Sequence, residues 1–149
     1  MKKIILVIVV LIVLGIVSAF LFTGGAEGIE VDMYKSVSCG CCVGHAAYLD
    51  GEGFDVNKIE LENVDGIKEK YNIPGNMQSC HTTIIGGYFV EGHIPMKAID
   101  RLLEEQPDIH GIALPRMPAG SPGMPGTKEG DFVIYSLDMN GEWEEWMRI

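Results

Sequence analysis

The chain has 149 residues and carries 21 acidic against 11 basic side chains, a formal net charge of −10 at pH 7. This length suits one domain of ordinary size. An acidic chain without a basic run repels phosphates, which excludes nucleic acid as an expected partner.

Residues 4–22, from Ile4 to Phe22, hold no charge and are rich in Ile, Leu and Val. At 1.5 Å per residue, such a run nearly matches the roughly 30 Å hydrocarbon core of a bilayer. It exceeds the apolar core of about 7–15 residues typical of a cleaved signal peptide. We therefore expect an N-terminal transmembrane signal anchor, with "TGGAEG" (23–28) as a flexible tether. Lys2 and Lys3 precede the run while Glu27, Glu30 and Asp32 follow it, which keeps the N-terminus in the cytoplasm by the positive-inside rule. The expected organisation is an anchor and tether over 1–28 and an extracytoplasmic domain over 29–149. That domain faces the periplasm or the cell exterior, attached to the membrane, or is secreted where the anchor is cut.

"IEVDMYKS" (29–36) alternates apolar and polar residues and predicts a strand. "CCVGHAAYLDGEG" (41–53) predicts a helix that starts at cysteines and stops at glycines, with Gly44 weakening it. "FDVNKIEL" (54–61) predicts a second strand. Residues 63–73 predict a helix with Asn63 as N-cap, Val64, Ile67 and Tyr71 at helical spacing, and an end before Pro74. "TTIIGGYFVEG" (82–92) reads as a β-hairpin about Gly86-Gly87. Over 94–106, Pro95 near the start and Ile99, Leu102 and Leu103 on one face predict a helix. Residues 111–126 hold four prolines and four glycines, which predicts an irregular loop. Residues 131–149 predict a hairpin turning at Asn140-Gly141. The order β-α-β-α-β-β-α is that of a thioredoxin-like α/β fold, here followed by a Pro/Gly-rich loop and a β-hairpin. Its first two strands should be parallel, joined by a right-handed crossover.

The chemistry sits in "SVSCGCCVGH" (36–45) and "SCHTT" (79–83), which hold all four cysteines. Three readings stand open. Structural disulfides are one: four cysteines allow three pairings, but Cys41 and Cys42 are adjacent and Cys39 is one residue from Cys41, so only a bridge such as Cys39–Cys42 or a long link to Cys80 is comfortable. A redox pair is the second, because Cys39-Gly40-Cys41-Cys42 is a C-x-x-C at a helix start, where N–H groups favour a thiolate. A soft-metal cage is the third. Cys80 competes with clean disulfide exchange but completes a sulfur-rich pocket, and thiolates and thioethers suit Cu(I). Zinc normally takes separated ligand pairs, and adjacent cysteines bridge two ions more readily than they share one. Copper, in a site of more than one ion, therefore fits better than zinc.

His81 adjoins Cys80, His93 ends the hairpin, and His45 lies one helical turn beyond Cys42, close enough to reach back toward the cluster. His93 serves equally well as a helix cap. Met117 and Met124, on the Pro/Gly-rich loop, are thioether candidates or simple gap fillers.

Taken together, "YKSVSCGCC", "SCHTTIIGGYFVEGHIP" and "IDRLLEEQPDIHGIALPRMPAGSPGM" resemble the CopG-type copper-binding proteins, also known as domain of unknown function 411, over roughly residues 30–126. The resemblance implies a thioredoxin-like fold, export, copper binding linked to copper resistance, and thiol redox chemistry. It implies Cys39, Cys41, Cys42 and Cys80 as copper ligands, assisted by nearby histidines. The chain departs from the family pattern at Val37, where proline is usual, at Arg116, where glycine is usual, and at His45 and Tyr48, where tryptophan and histidine are usual. The expected function is extracytoplasmic Cu(I) sequestration, transfer or resistance, with copper-transport or redox proteins as partners. Its metal ligands would be Cys39, Cys41, Cys42, Cys80, His81 and His93, with weaker cases for His45, Met117 and Met124. The alternative is a thioredoxin-like thiol-disulfide oxidoreductase working through Cys39 and Cys42.

Overall fold

The computed structural model describes residues 28–149. The expected anchor lies outside the described residues, and among those described no helix is long and apolar enough to cross a membrane. The elements are β1 (Ile29–Ser36), α1 (Gly40–Gly51), β2 (Phe54–Leu61), α2 (Asp65–Lys70), β3 (His81–Ile85), β4 (Tyr88–Glu91), α3 (Met96–Glu105), β5 (Ile109–Ala113), β6 (Val133–Asp138) and β7 (Trp143–Arg148). All seven strands form one mixed sheet in the order β2-β1-β3-β4-β5-β6-β7.

β1 and β2 pair in parallel, as two strands joined by a helix should. β3 returns antiparallel beside β1 and sets Lys35 opposite His81. That pairing carries residue 80 to the end of the sheet where β1 stops and α1 begins. β3 and β4 close a hairpin in which Gly86 and Gly87 both have positive φ (58° and 90°), the conformation a two-residue turn requires.

The helices dock by their expected faces. In α1, Cys42, His45, Ala46 and Leu49 are buried at the spacing of one helical stripe. In α3, Ala98, Ile99 and Leu102 are buried. They meet Val31, Met33, Ile85 and Ile112 in the main core. The Tyr48 hydroxyl accepts a hydrogen bond from the Met96 amide at the start of α3 (2.8 Å), so α1 supplies a partner for one of the N–H groups a helix start leaves free.

Several boundaries differ from expectation. α1 begins at Gly40, with Cys39 at its N-cap position, and ends at Gly51. α2 is shorter than 63–73, and its N-cap position is Val64; Asn63 instead accepts the Asp65 amide (2.6 Å) in a local turn. α3 begins after Pro95. The expected loop over 111–126 is corrected at its start, because Gly111 to Ala113 belong to β5, parallel to β4. Gly111 is there for packing: a Cβ on it would lie 2.1 Å from the Phe89 carbonyl oxygen and 2.6 Å from its ring. A glycine that signals a break in the sequence is thus the place where β5 admits a neighbour's ring. The C-terminal hairpin turns where expected, with Asp138 accepting the amides of Asn140 and Glu142 (2.8 Å each). It continues the main sheet through β5–β6 pairing.

Candidate metal centre

The four sulfur atoms lie within 4.8 Å of one another. Cys39 and Cys42, one helical turn apart, are joined as a disulfide. Cys41 and Cys80 are free. The Cys41 sulfur lies 3.6 Å from Cys39 Sγ and 3.7 Å from Cys80 Sγ, so it faces both the bridge and the distant cysteine. Cys42 is fully buried, its sulfur 3.8 Å from the Cys80 carbonyl oxygen. The bridge is the Cys39–Cys42 pairing that the spacing allows; in this oxidation state two of the four cysteines are thiols, and reducing the bridge restores the other two.

The imidazoles form a second group around the same atom. Cys80 Sγ lies 3.1 Å from His93 Nε2 and 3.5 Å from His81 Nδ1. These three ligand atoms also fall within 4.8 Å of one another, so Cys80 belongs to both potential metal-holding groups. His93 Nδ1–H donates to the Pro122 carbonyl (2.7 Å), leaving the Nε2 lone pair toward the sulfur. His45 does not face the cysteines. Its Nδ1 lies 2.8 Å from His81 Nε2 and its Nε2 lies 3.1 Å from the Ile94 carbonyl oxygen, so it stands behind His81.

Burial sets the charges. It drives His81 well below the ordinary imidazole range, lowers His45 to about 4, and lowers His93. All three rings are therefore neutral at pH 7, the form that offers a lone pair to a metal. Burial, and then the neighbouring Cys41, push the Cys80 thiol up to about 12. A metal bound at Cys80 would have to displace that proton.

A buried carboxylate holds the Cys80 segment in place. Glu91, fully buried at the end of β4, accepts the Ser79 amide (2.6 Å) and the Thr82 hydroxyl (2.5 Å), and forms an ion pair with buried Lys68 from α2. Ser79 and Thr82 flank Cys80 and His81, so one carboxylate grips both sides of that pair. The Ser79 hydroxyl also donates to the Arg116 carbonyl, and the Arg116 amide donates to the Gln78 carbonyl (2.9 Å). Arg116 has φ 67°, a conformation glycine adopts without steric cost, which gives a physical reason for the glycine usual in the resembling family.

The Pro/Gly-rich loop is clamped onto α1. A Cβ on Gly123 would lie 2.4 Å from the His45 amide nitrogen, and one on Gly44 would lie 2.9 Å from the Gly123 carbonyl oxygen. Gly44, which weakens the helix, is what lets the loop approach closely enough for Pro122 to hold His93. Met117 is 49% exposed and lines a cleft of about 930 Å³ whose lining includes none of the clustered cysteines or histidines. Met124 is half-buried in the turn it closes with Ser121. Sequence reasoning assigned no role to Lys68, Glu91 or the Pro122 carbonyl; the only signal was Glu91 inside "EGH".

Comparison with known proteins bears on this geometry. The family model described as "Protein of unknown function, DUF411" matches residues 77–124, the stretch from the Cys80 segment to Met124. No curated protein matches the sequence. A solved structure titled "Copper resistance protein copG- Form 2" matches at 34% identity and a TM-score of 0.75, covering 83% of this chain and 99% of its own. Its Form 1 matches at 34% identity and a TM-score of 0.74, covering 83% and 98%. The chain belongs to the CopG (DUF411) family. Within that CopG frame, the hairpin that the resemblance to motifs left out, β6–β7, is an integral part of the sheet.

Two outcomes follow for the metal-free protein. Glu91→Gln strands the Lys68 charge in the interior and costs about 3–5 kcal/mol of stability by urea denaturation; adding Lys68→Met recovers much of the loss. Stability also depends on acid. His45 has a folded-state value of about 4 against an ordinary 6.5, so the unfolded chain binds more protons between these values. Its contribution is complete above pH 6.5 and is lost as pH falls toward 4, seen as a falling melting temperature whose slope His45→Gln reduces.

Proposed function

We propose that this protein binds Cu(I) outside the cytoplasm, through the cysteines and two of the histidines, and sequesters it or passes it to a partner. The observation that carries this is the position of Cys80, whose sulfur is shared between a group of four sulfurs and a pair with His81 and His93. The donor set fits the metal: thiolates and neutral imidazoles are soft or borderline ligands suited to Cu(I). Two overlapping groups with one common sulfur suit more than one copper ion, whereas zinc is best served by a closed tetrahedral set. The titles of the similar structures, copper resistance proteins, point the same way. The Cys39–Cys42 disulfide adds a redox condition, because full sulfur ligation requires its reduction.

The neighbouring strand order β2-β1-β3-β4, with β1 and β2 parallel and β3 and β4 antiparallel to their predecessors, supports a thioredoxin-like module within the larger sheet. The charge-free run over 4–22 supports a membrane anchor that places the domain in the periplasm or outside the cell.

One observation favours a second reading. A disulfide at the start of α1, beside a free thiol 3.6 Å away, is the arrangement of a thiol-disulfide oxidoreductase. Anaerobic Cu(I) titration of the reduced protein separates the two. Copper handling predicts tight uptake that Cys80→Ser abolishes. An oxidoreductase predicts disulfide turnover that survives Cys80→Ser and disappears with Cys39→Ser. Tight zinc binding with weak Cu(I) uptake would overturn the copper reading.

A further inference from the structure

His45 is fully buried on α1 and makes two directed hydrogen bonds, neither of them to a cysteine. Their partners fix every proton in the chain of rings. The Ile94 carbonyl oxygen only accepts, so His45 Nε2 must carry the hydrogen that bridges the 3.1 Å between them. A neutral imidazole has one N–H, so His45 Nδ1 presents a lone pair to His81 Nε2, 2.8 Å away. His81 Nε2 must then be the donor. That leaves His81 Nδ1 unprotonated, and Nδ1 is the atom 3.5 Å from the Cys80 sulfur.

We infer that His45 is a positioning residue which, relaying the Ile94 carbonyl through its ring, selects the His81 tautomer whose Nδ1 lone pair faces Cys80. The inference rests on the copper reading only for its consequence, since the tautomer itself belongs to the metal-free protein. The opposite arrangement, with His45 donating from Nδ1, would aim the His45 Nε2 lone pair at the Ile94 carbonyl oxygen. A doubly protonated His45 would satisfy both partners, but it would place a charge on a fully buried ring whose bonded partners are a backbone carbonyl and another imidazole, with no carboxylate among them. His93 reaches the same end by donating directly to the Pro122 carbonyl. Two imidazoles therefore present lone pairs toward one sulfur by different routes, one through a backbone carbonyl and one through a second histidine. Orientation of a ligand histidine through its other ring nitrogen commonly changes metal affinity 10–100-fold when removed.

The test uses the full chain, reduced and metal-free, with nitrogen-15 NMR to read the tautomers, followed by Cu(I) competition titration. Wild type is expected to show His45 and His81 both protonated at Nε2. His45→Gln keeps an acceptor for His81 and a donor for Ile94, and should retain the His81 tautomer and near-native affinity. His45→Leu removes both, and should mix or invert the His81 tautomer and weaken Cu(I) binding by about 10–100-fold. A wild-type His81 protonated at Nδ1 overturns the inference even if His45→Leu fails to fold. So does a His45→Leu protein with an unchanged His81 tautomer. If the tautomers are as expected but no form binds Cu(I), the positioning role stands and the copper reading falls.

Discussion

Cys80 faces Cys41 across 3.7 Å from a segment that a buried carboxylate ties down. β1–β3 pairing brings the segment to the correct end of the sheet, and Glu91 fixes it there through the Ser79 amide, the Thr82 hydroxyl and the Lys68 ammonium. A buried ion pair is weak evidence for net stability, since desolvation offsets much of the attraction. Its value here lies in geometry. An apolar pair of similar volume could fill the space but could not hold a backbone N–H one residue from the cysteine.

The electrostatics of the site follow from the same burial. Each ring is kept neutral, and the Cys80 thiol keeps its proton, as long as no metal is present. A metal cation bound there would reverse that preference by favouring thiolate, so its binding would exchange for protons and strengthen as pH rises. The sulfur-rich half adds a second control. With Cys39 and Cys42 bridged, the pocket offers the thiols of Cys41 and Cys80; with the bridge open it offers four. Proton and electron availability would then both set how much soft metal the protein can hold.

Much of this was legible in the sequence. Alternation in β1 and β2, the glycine pair of the β3–β4 turn and the apolar face of α3 identified most of the sheet's first half. The cysteine trio, Cys80 and the adjacent histidines drew attention to the cluster, but their spacing left disulfide, redox and metal readings open, and the ligand set came from the family resemblance. Other features were not legible, for physical reasons. β5 was obscured because Gly111 serves close packing against Phe89, which a one-dimensional reading takes for a break. Nothing in the sequence marks Lys35, Lys68 and Glu91 as buried, yet all three are, because their pairings join segments distant in the chain. His45 pointed toward the cluster by helical spacing, yet it faces His81. Spacing places a side chain on a stripe and does not say which neighbour it meets there.

Both donor groups depend on one sulfur, so the account is tested most directly by locating copper in the reduced, Cu(I)-loaded protein by anomalous diffraction at the copper edge. The account predicts copper bonded to Cys80 Sγ, among Cys41 and the facing nitrogens of His81 and His93. Copper bound elsewhere, with Cys80 left without a metal, would contradict it.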